Sequence, residues 1–125
     1  MNSVVLRLGD LRDAASKYGR LSVPAGARGS IPCTTEIKPA PDGVSVETPH
    51  MEISVLATGR WTSIVSVDCK RLHGTLDDLK KRWKDIGGDD AQITLSSTAT
   101  SLDFSWADGA SSRRVSIPAW PPRPR

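Results

Sequence analysis

Alternation of apolar and polar residues predicts that most of this chain forms β-strands. Asp42-Gly43 and Asp108-Gly109 are typical of hairpin turns, so neighbouring strands are expected to run antiparallel. The runs that predict strands are residues 3–8, 44–47, 52–55, 61–67, 91–95, 102–106 and 114–117.

Between residues 72 and 86 the apolar residues follow a helical period instead of the alternation of a strand. Apolar residues recur there at steps of four and three, which places them on one helix face. Thr75 and Asp78 resemble a capping box and Gly87-Gly88 is a strong stop, so we expect the helix to start at Thr75, with Gly74-Thr75 interrupting any helix before it. The predicted core stripe is Leu72, Leu76, Leu79, Trp83 and Ile86.

An earlier, shorter stripe at residues 11–18 predicts the first helix, of roughly ten residues, from an N-cap at Asp10 to a stop at Gly19. Counting the strand that must precede the Asp42-Gly43 hairpin, the element order is then strand, helix, four strands, helix and three strands. It indicates an α+β fold, with a mainly antiparallel sheet and two helices packed on one face. Residues 1–119 would form this single domain, and residues 120–125 a Pro/Arg-rich tail.

Length and composition narrow the function classes. A chain of 125 residues, 38% hydrophobic and 25% charged, is long enough for one ordinary core without disulfides. No apolar run approaches the roughly 18 residues of a membrane-spanning helix, and residues 1–8 lack a signal-peptide pattern, so we expect a cytoplasmic protein with no membrane partner. Cys33 and Cys69 are interpreted as packing residues rather than a disulfide, because a reducing compartment keeps thiols free.

The net charge of +3 conceals two cationic blocks. Residues 7–28 carry five basic and two acidic side chains, and residues 70–86 carry six basic and three acidic ones. Residues 29–69 and 87–112, which hold most of the predicted sheet, are net acidic. Positive charge therefore collects on the solvent-facing sides of the helices. Opposite the apolar stripe of the second helix lie Lys70, Asp77, Lys81 and Lys84, with Lys80 beside them.

The order and spacing of these elements resemble one domain of a DNA sliding clamp over nearly the whole chain. Helices follow the first and fifth strands, a Gly/Arg loop at 27–30 runs into a strand that begins Ile31-Pro32, and residues 65–70 enter the second helix. Three departures stand out. Thr48-Pro49 replaces the usual Thr-Asp, the segment 70–90 is longer than the family pattern, and a bacterial clamp subunit resembles three such domains in series.

The resemblance implies a non-enzymatic processivity factor in DNA replication, with no cofactor and no metal. In such clamps six similar domains close a ring with helices lining the channel, so this chain would self-associate or pair with a clamp or polymerase-type protein. It would bind duplex DNA through the backbone, independently of sequence. The residues expected to bind DNA are Arg12, Lys17, Arg20, Arg28, Lys70, Lys80, Lys81 and Lys84.

Other functions are also compatible with parts of the sequence. A protein-interaction module could keep the clamp fold without a ring and modulate a replication or repair factor. Cys69, His73 and Asp77 are spaced like a thiol-based triad, although nothing nearby suggests an oxyanion site. No P-loop, dinucleotide glycine pattern or HExxH occurs, and the chain is interpreted as a non-enzyme. The side chains with zinc-ligand chemistry, which include no close cysteine pair, are Cys33, His50, Cys69 and His73.

Trp120 lies among prolines in the predicted tail, where a buried role is least expected. An exposed tryptophan there could dock on a partner protein or pack back on its own domain. The sequence leaves both alternatives open.

Overall fold

The structure, a computed structural model, describes residues 2–21, 34–48, 52–108 and 111–121, the side chains of 18–21 and 108 excepted. Within these ranges, no helix is long and apolar enough to cross a membrane. The elements are β1 (Asn2–Arg7), α1 (Leu8–Leu21), β2 (Thr34–Ala40), β3 (Gly43–Glu47), β4 (Glu52–Leu56), β5 (Thr58–Arg60), β6 (Val65–Asp68), α2 (Cys69–Lys81), α3 (Trp83–Ile86), β7 (Gln92–Ser97), β8 (Ser101–Asp108) and β9 (Ser111–Trp120).

The described strands form one antiparallel sheet in the order β4-β3-β2-β6-β9-β8-β7-β1-β5. Strand β9 joins its two halves, because residues 111–118 pair with β8 while Ala119 and Trp120 pair with β6. The predicted β2–β3 hairpin is confirmed, with Ala40 opposite Gly43, and so is the β8–β9 hairpin, with Asp108 opposite Ser111. The fold is therefore α+β and mainly antiparallel, as the sequence predicts.

Alternation along the strands brings their apolar sides into a common core. On β8, for example, Leu102, Phe104 and Trp106 are buried. Helices α1 and α2 pack against each other, and a small cavity is lined jointly by Leu11 of α1, Leu72 of α2 and Phe104. Both long helices thus cover the same core, and their opposite sides face solvent.

The second helix starts earlier than predicted, because the residue that caps it is Asp68. The Asp68 carboxylate accepts a hydrogen bond from the Arg71 amide at 3.1 Å, which satisfies a donor of the first turn. Thr75 lies inside α2, where its hydroxyl donates to the Arg71 carbonyl at 2.9 Å, and Gly74 also lies within the helix. The predicted start at Thr75 and the interruption at Gly74-Thr75 are therefore wrong.

The single helix predicted over residues 75–86 is two helices, α2 and α3, separated at Arg82. The predicted stop is confirmed, since Gly87 follows α3 with a φ of 130° and Gly88 has a φ of 82°. Residues with a Cβ atom are strained at such φ angles, so glycine is favoured at the end of this helix.

Tertiary contacts set the start of the first helix. The amides of Leu8 and Gly9 donate to the carbonyls of Ala91 and Asp89 at 2.8 and 3.0 Å, so the first turn is capped by the segment before β7. Asp10 lies inside this turn and is not the N-cap, and α1 continues past Gly19 to Leu21. Both predicted boundaries are therefore wrong, and the helix is longer than predicted at each end.

Three strand predictions also change. Strand β5 was not predicted. The strand predicted at residues 61–67 is shorter in the structure, where β6 covers residues 65–68. Strand β9 reaches Trp120, so this residue belongs to the sheet rather than to a tail. Ile31-Pro32, the expected start of the strand after the first helix, lies outside the described residues.

Candidate nucleic-acid interface

The predicted DNA-binding residues are distributed over all three helices. Arg12 and Lys17 lie on α1, and Lys84 lies on α3. The side chain of Arg20 and the whole of Arg28 lie outside the described part of the chain. On α2 the structure places Lys70, Lys80 and Lys81, all exposed to solvent.

Helix α2 separates charge from apolar surface. Leu72, Leu76 and Leu79 are buried, and at 100° per residue Lys70 and Lys81 lie on the opposite side. On a helical wheel Arg71 and Arg82 flank the buried leucines. Both are exposed and extend the cationic surface. We use the term helix cations for the exposed basic residues of the three helices and of the α2–α3 junction, which are Lys17, Lys70, Arg71, Lys80, Lys81, Arg82 and Lys84.

Two acidic residues of α2 partly neutralise this surface. The Lys81 ammonium lies 3.1 Å from the Asp77 carboxylate, and the Arg82 guanidinium lies 3.8 Å from that of Asp78, each at i,i+4 spacing. Exposed pairs of this kind contribute about 0–1 kcal/mol to stability, so water or an anion readily displaces them. Among the described residues, ion pairs are absent from Lys17, Lys70, Arg71, Lys80 and Lys84.

Arg12 differs from the other helical cations because its charge is already engaged. The Arg12 guanidinium lies 3.2 Å from the Asp89 carboxylate and 4.8 Å from the centroid of the Trp83 ring, while the Trp83 indole donates to the same carboxylate at 2.8 Å. This contact joins α1 to α3 and to the turn before β7. The geometry therefore suits Arg12 to positioning the helices against each other.

The sheet surface is less acidic than the sequence suggests. A row across β1, β7, β8 and β9 consists of Ser3, Ser96, Asp103 and Ser116. The Asp103 side chain is buried and accepts a 2.5 Å hydrogen bond from the Ser116 hydroxyl. Hydroxyl groups thus dominate this row in the half of the sheet formed by β1, β7, β8 and β9. The carboxylates lie mainly on β2, β3 and β4, at Glu36, Glu47 and Glu52.

Cys69 is bonded in a disulfide, so its interpretation as a free packing thiol is wrong. Cys33 is the only other cysteine of the chain and lies outside the described residues. The β2–β6 register pairs Thr34 with Asp68, so Cys69 directly follows the last paired residue of β6.

The disulfide also affects the two alternative chemistries that the sequence left open. A sulfur bonded in a disulfide is neither a thiolate nucleophile nor a zinc ligand. The triad of Cys69, His73 and Asp77 and the zinc set would therefore require reduction first. Within the described ranges, no three His, Cys, Asp or Glu side chains are arranged to hold a metal ion.

Comparisons with known proteins give no relative from which a function could be transferred. No protein-family model, no curated protein and no solved structure matches this chain. Function is therefore inferred from the charges, sheet edges and surfaces of the chain itself.

Proposed function

We propose that this protein is a non-enzymatic, DNA-associated accessory protein of sliding-clamp type that binds the backbone of duplex DNA without sequence preference. The observation that carries the proposal is the segregation of charge on α2, where exposed Lys70 and Lys81 lie opposite buried Leu72 and Leu76. The resemblance of the chain to a clamp domain supports the same function.

The physical basis of the contact is counterion release. Cationic side chains that approach phosphates displace condensed cations from the duplex, which favours binding at low salt and carries no sequence information. Lysine suits this role, because its ammonium group contacts phosphates as a mobile point charge. The helix cations therefore provide attraction without fixing the protein at one site.

Assembly could use two open sheet edges. Strand β4 lies at one end of the sheet order, and within the described part of the chain residues 111–118 of β9 pair with β8 alone. Leu56 on β4 is 63% exposed, the large apolar residue that the described surface leaves most accessible. Contact between two different edges is heterologous, so repeated copies form a ring or an open filament. We therefore propose self-association through these edges, or pairing there with a clamp or polymerase-type protein.

A specific surface favours the alternative function, a protein-interaction module without a ring. An open groove on the sheet is lined by Ile64, Trp120 and Pro121 together with several serines. Tryptophan is enriched at protein–protein interfaces, and Trp120 is half-buried in this groove. This alternative predicts a monomer or dimer that captures a partner, whereas the clamp proposal predicts a larger assembly.

Salt dependence tests the proposed DNA contact. If about four lysines of each copy contact phosphates, affinity for a short duplex should fall about 100-fold between 50 and 200 mM salt. Fluorescence anisotropy with duplexes of two unrelated sequences measures both the slope and the lack of sequence preference. Absence of binding at low salt would refute the proposal, and a strong preference for one sequence would contradict the backbone contact.

The cytoplasmic location stays a prediction, and the disulfide at Cys69 weighs against it. Disulfides persist mainly in oxidising compartments and are rare where glutathione and thioredoxin keep thiols reduced. Fractionation of the source cells, with thiols blocked at lysis, would show both the compartment and the oxidation state.

A further inference from the structure

An open groove lies on the side of the sheet that the helices do not cover. Its volume is about 970 Å³, and the residues that line it include Ser3, Ser96, Asp103, Arg114 and Trp120. We call it the sheet groove. The proposed DNA contact uses none of these side chains.

The strand register explains why these residues share one side of the sheet. Asp103 lies opposite Ser96 on β7, and Ser96 lies opposite Ser3 on β1. Arg114 lies opposite the residue two positions along β8 from Asp103, so both charged side chains leave the sheet on the same side. Phe104, the next residue on β8, is buried on the other side, where the helices pack.

Asp103 is a buried carboxylate whose partners are hydroxyl groups. It is 6% exposed, and among the described residues no basic side chain forms an ion pair with it. Ser116 donates to its Oδ1 at 2.5 Å and Ser101 donates to its Oδ2 at 3.3 Å. An ionised carboxylate has about four acceptor sites, so acceptor capacity is left for donors of a ligand. Burial of a charge costs free energy unless such donors are supplied.

The charges and surfaces of the groove suit a neutral, polar ligand. Among the described residues that line it, Asp103 and Arg114 alone are charged, and their charges cancel. The hydroxyls of Ser3 and Ser96 both donate and accept hydrogen bonds. The half-buried indole of Trp120 adds an apolar, aromatic surface beside them.

We infer that the sheet groove binds a neutral saccharide. A pyranose ring has an apolar face of C–H groups, which packs on an aromatic ring, and a rim of hydroxyls that donate and accept hydrogen bonds. Trp120 contacts the apolar face, the Asp103 carboxylate accepts from ligand hydroxyls, and Arg114 donates to a further one. A mainly apolar cleft with a few placed polar groups is typical of a small-molecule site.

Other occupants fit the groove less well. The cores of protein–protein interfaces are depleted of charged residues, whereas Asp103 is buried here. Single-stranded nucleic acid is bound along a positively charged groove, and Arg114 is the one cation among the described lining residues. The inference therefore names a different occupant for the groove in which the alternative function places a protein partner.

Calorimetric titration with four neutral tetrasaccharides, of glucose, mannose, galactose and N-acetylglucosamine, tests the inference. At least one should bind saturably at millimolar concentration. Its affinity should not change between about 50 and 200 mM salt, because neither the ligand nor the groove carries net charge. Saturable NMR shifts of the Ser96 amide and the Trp120 indole N–H would locate the ligand in the groove. Absence of saturable binding by all four would overturn the inference.

Two substitutions separate the groove from the rest of the fold. Asp103→Asn should lower affinity about tenfold, because a neutral acceptor of similar shape replaces a charged one. Asp42→Asn makes the same change at the exposed β2–β3 turn and is the matched control. Trp120→Ala should abolish binding and Trp120→Phe should keep most of it, since phenylalanine retains an aromatic face. Unchanged affinity in Asp103→Asn, or an equal loss in the control, would contradict the site.

The same NMR signals identify a wrong occupant. If a single-stranded oligonucleotide shifts them saturably and no tetrasaccharide does, the groove binds nucleic acid and the inference is wrong. If a protein partner is lost in Trp120→Ala and no tetrasaccharide binds, the groove belongs to the interaction module instead. Neither outcome affects the salt dependence of duplex binding at the helix cations, so this inference and the proposed DNA contact fail separately.

Discussion

Reversing two lysines together, in Lys81→Glu/Lys84→Glu, is expected to lower affinity for duplex DNA about 30- to 100-fold at low salt. Each substitution removes an attraction to phosphate and adds a repulsion, and the salt slope should fall by about two. Lys84 has no ion pair among the described residues, and the Lys81 pair with Asp77 is 74% exposed on the lysine side, so both ammonium groups can reach an anion. Anisotropy titrations at several salt concentrations measure the change.

Stability is expected to change little in this variant. A glutamate carboxylate at position 81 would face Asp77 one turn away, which costs about 0.2–0.5 kcal/mol. Arg7→Glu/Arg60→Glu is the charge-matched control, since it makes the same change in net charge on β1 and β5, and the exposed Arg7–Asp90 pair that it breaks contributes only about 0–1 kcal/mol to stability. Equal loss of affinity in the two variants would show a general charge effect and contradict a contact at the helices.

Removal of the disulfide, in Cys33→Ser/Cys69→Ser, is expected to lower the free energy of unfolding by about 3–4 kcal/mol. The bond would close a loop that contains β2 to β6, so its loss increases the conformational freedom of the unfolded chain. Serine at position 69 can still hydrogen-bond the buried Thr35 hydroxyl, which lies 3.1 Å from the Cys69 sulfur, so the substitution leaves no buried polar group unpaired at this position. Urea unfolding of both proteins gives the difference.

Reduction of the natural chain is the control for the predicted effect of removing the disulfide. Dithiothreitol should lower the stability of the natural chain to that of the double variant and leave the variant unchanged. The unreduced natural chain should also be lighter than the reduced one by the mass of the two thiol hydrogens. Two thiols that titrate freely in the unreduced, folded protein would contradict the bond.

The parts of the fold that could be predicted are those that local pattern determines. Alternation identified β1, β3, β4 and β8, because apolar residues occupy every second position of these strands. Strand β5 could not be found in this way, since all three of its residues are exposed and its pairing with β1 comes from the fold. The start of α1 was missed for a similar reason, because its caps are carbonyls about eighty residues away.

The candidate site also has some features that the sequence predicts and others that only the fold shows. A helical wheel was sufficient to place Lys70 and Lys81 on the exposed side of α2, since the apolar stripe fixes the orientation of the helix. It could not show that Arg12 meets Asp89 and Trp83, because this contact joins distant elements. The Cys69 disulfide was missed because the spacing of two cysteines along the chain does not show whether the fold brings them together.

The mass of the assembly in solution tests the central claim most directly. A sliding clamp built from single domains requires six copies, so light scattering on the purified chain, with and without duplex DNA, should give roughly six times the chain mass of 13.5 kDa. Leu56→Lys on the β4 edge should shift that mass towards the monomer, because it places a charge on the proposed contact. A monomer or dimer that stays so when duplex DNA is added would contradict the ring and leave the interaction module as the function.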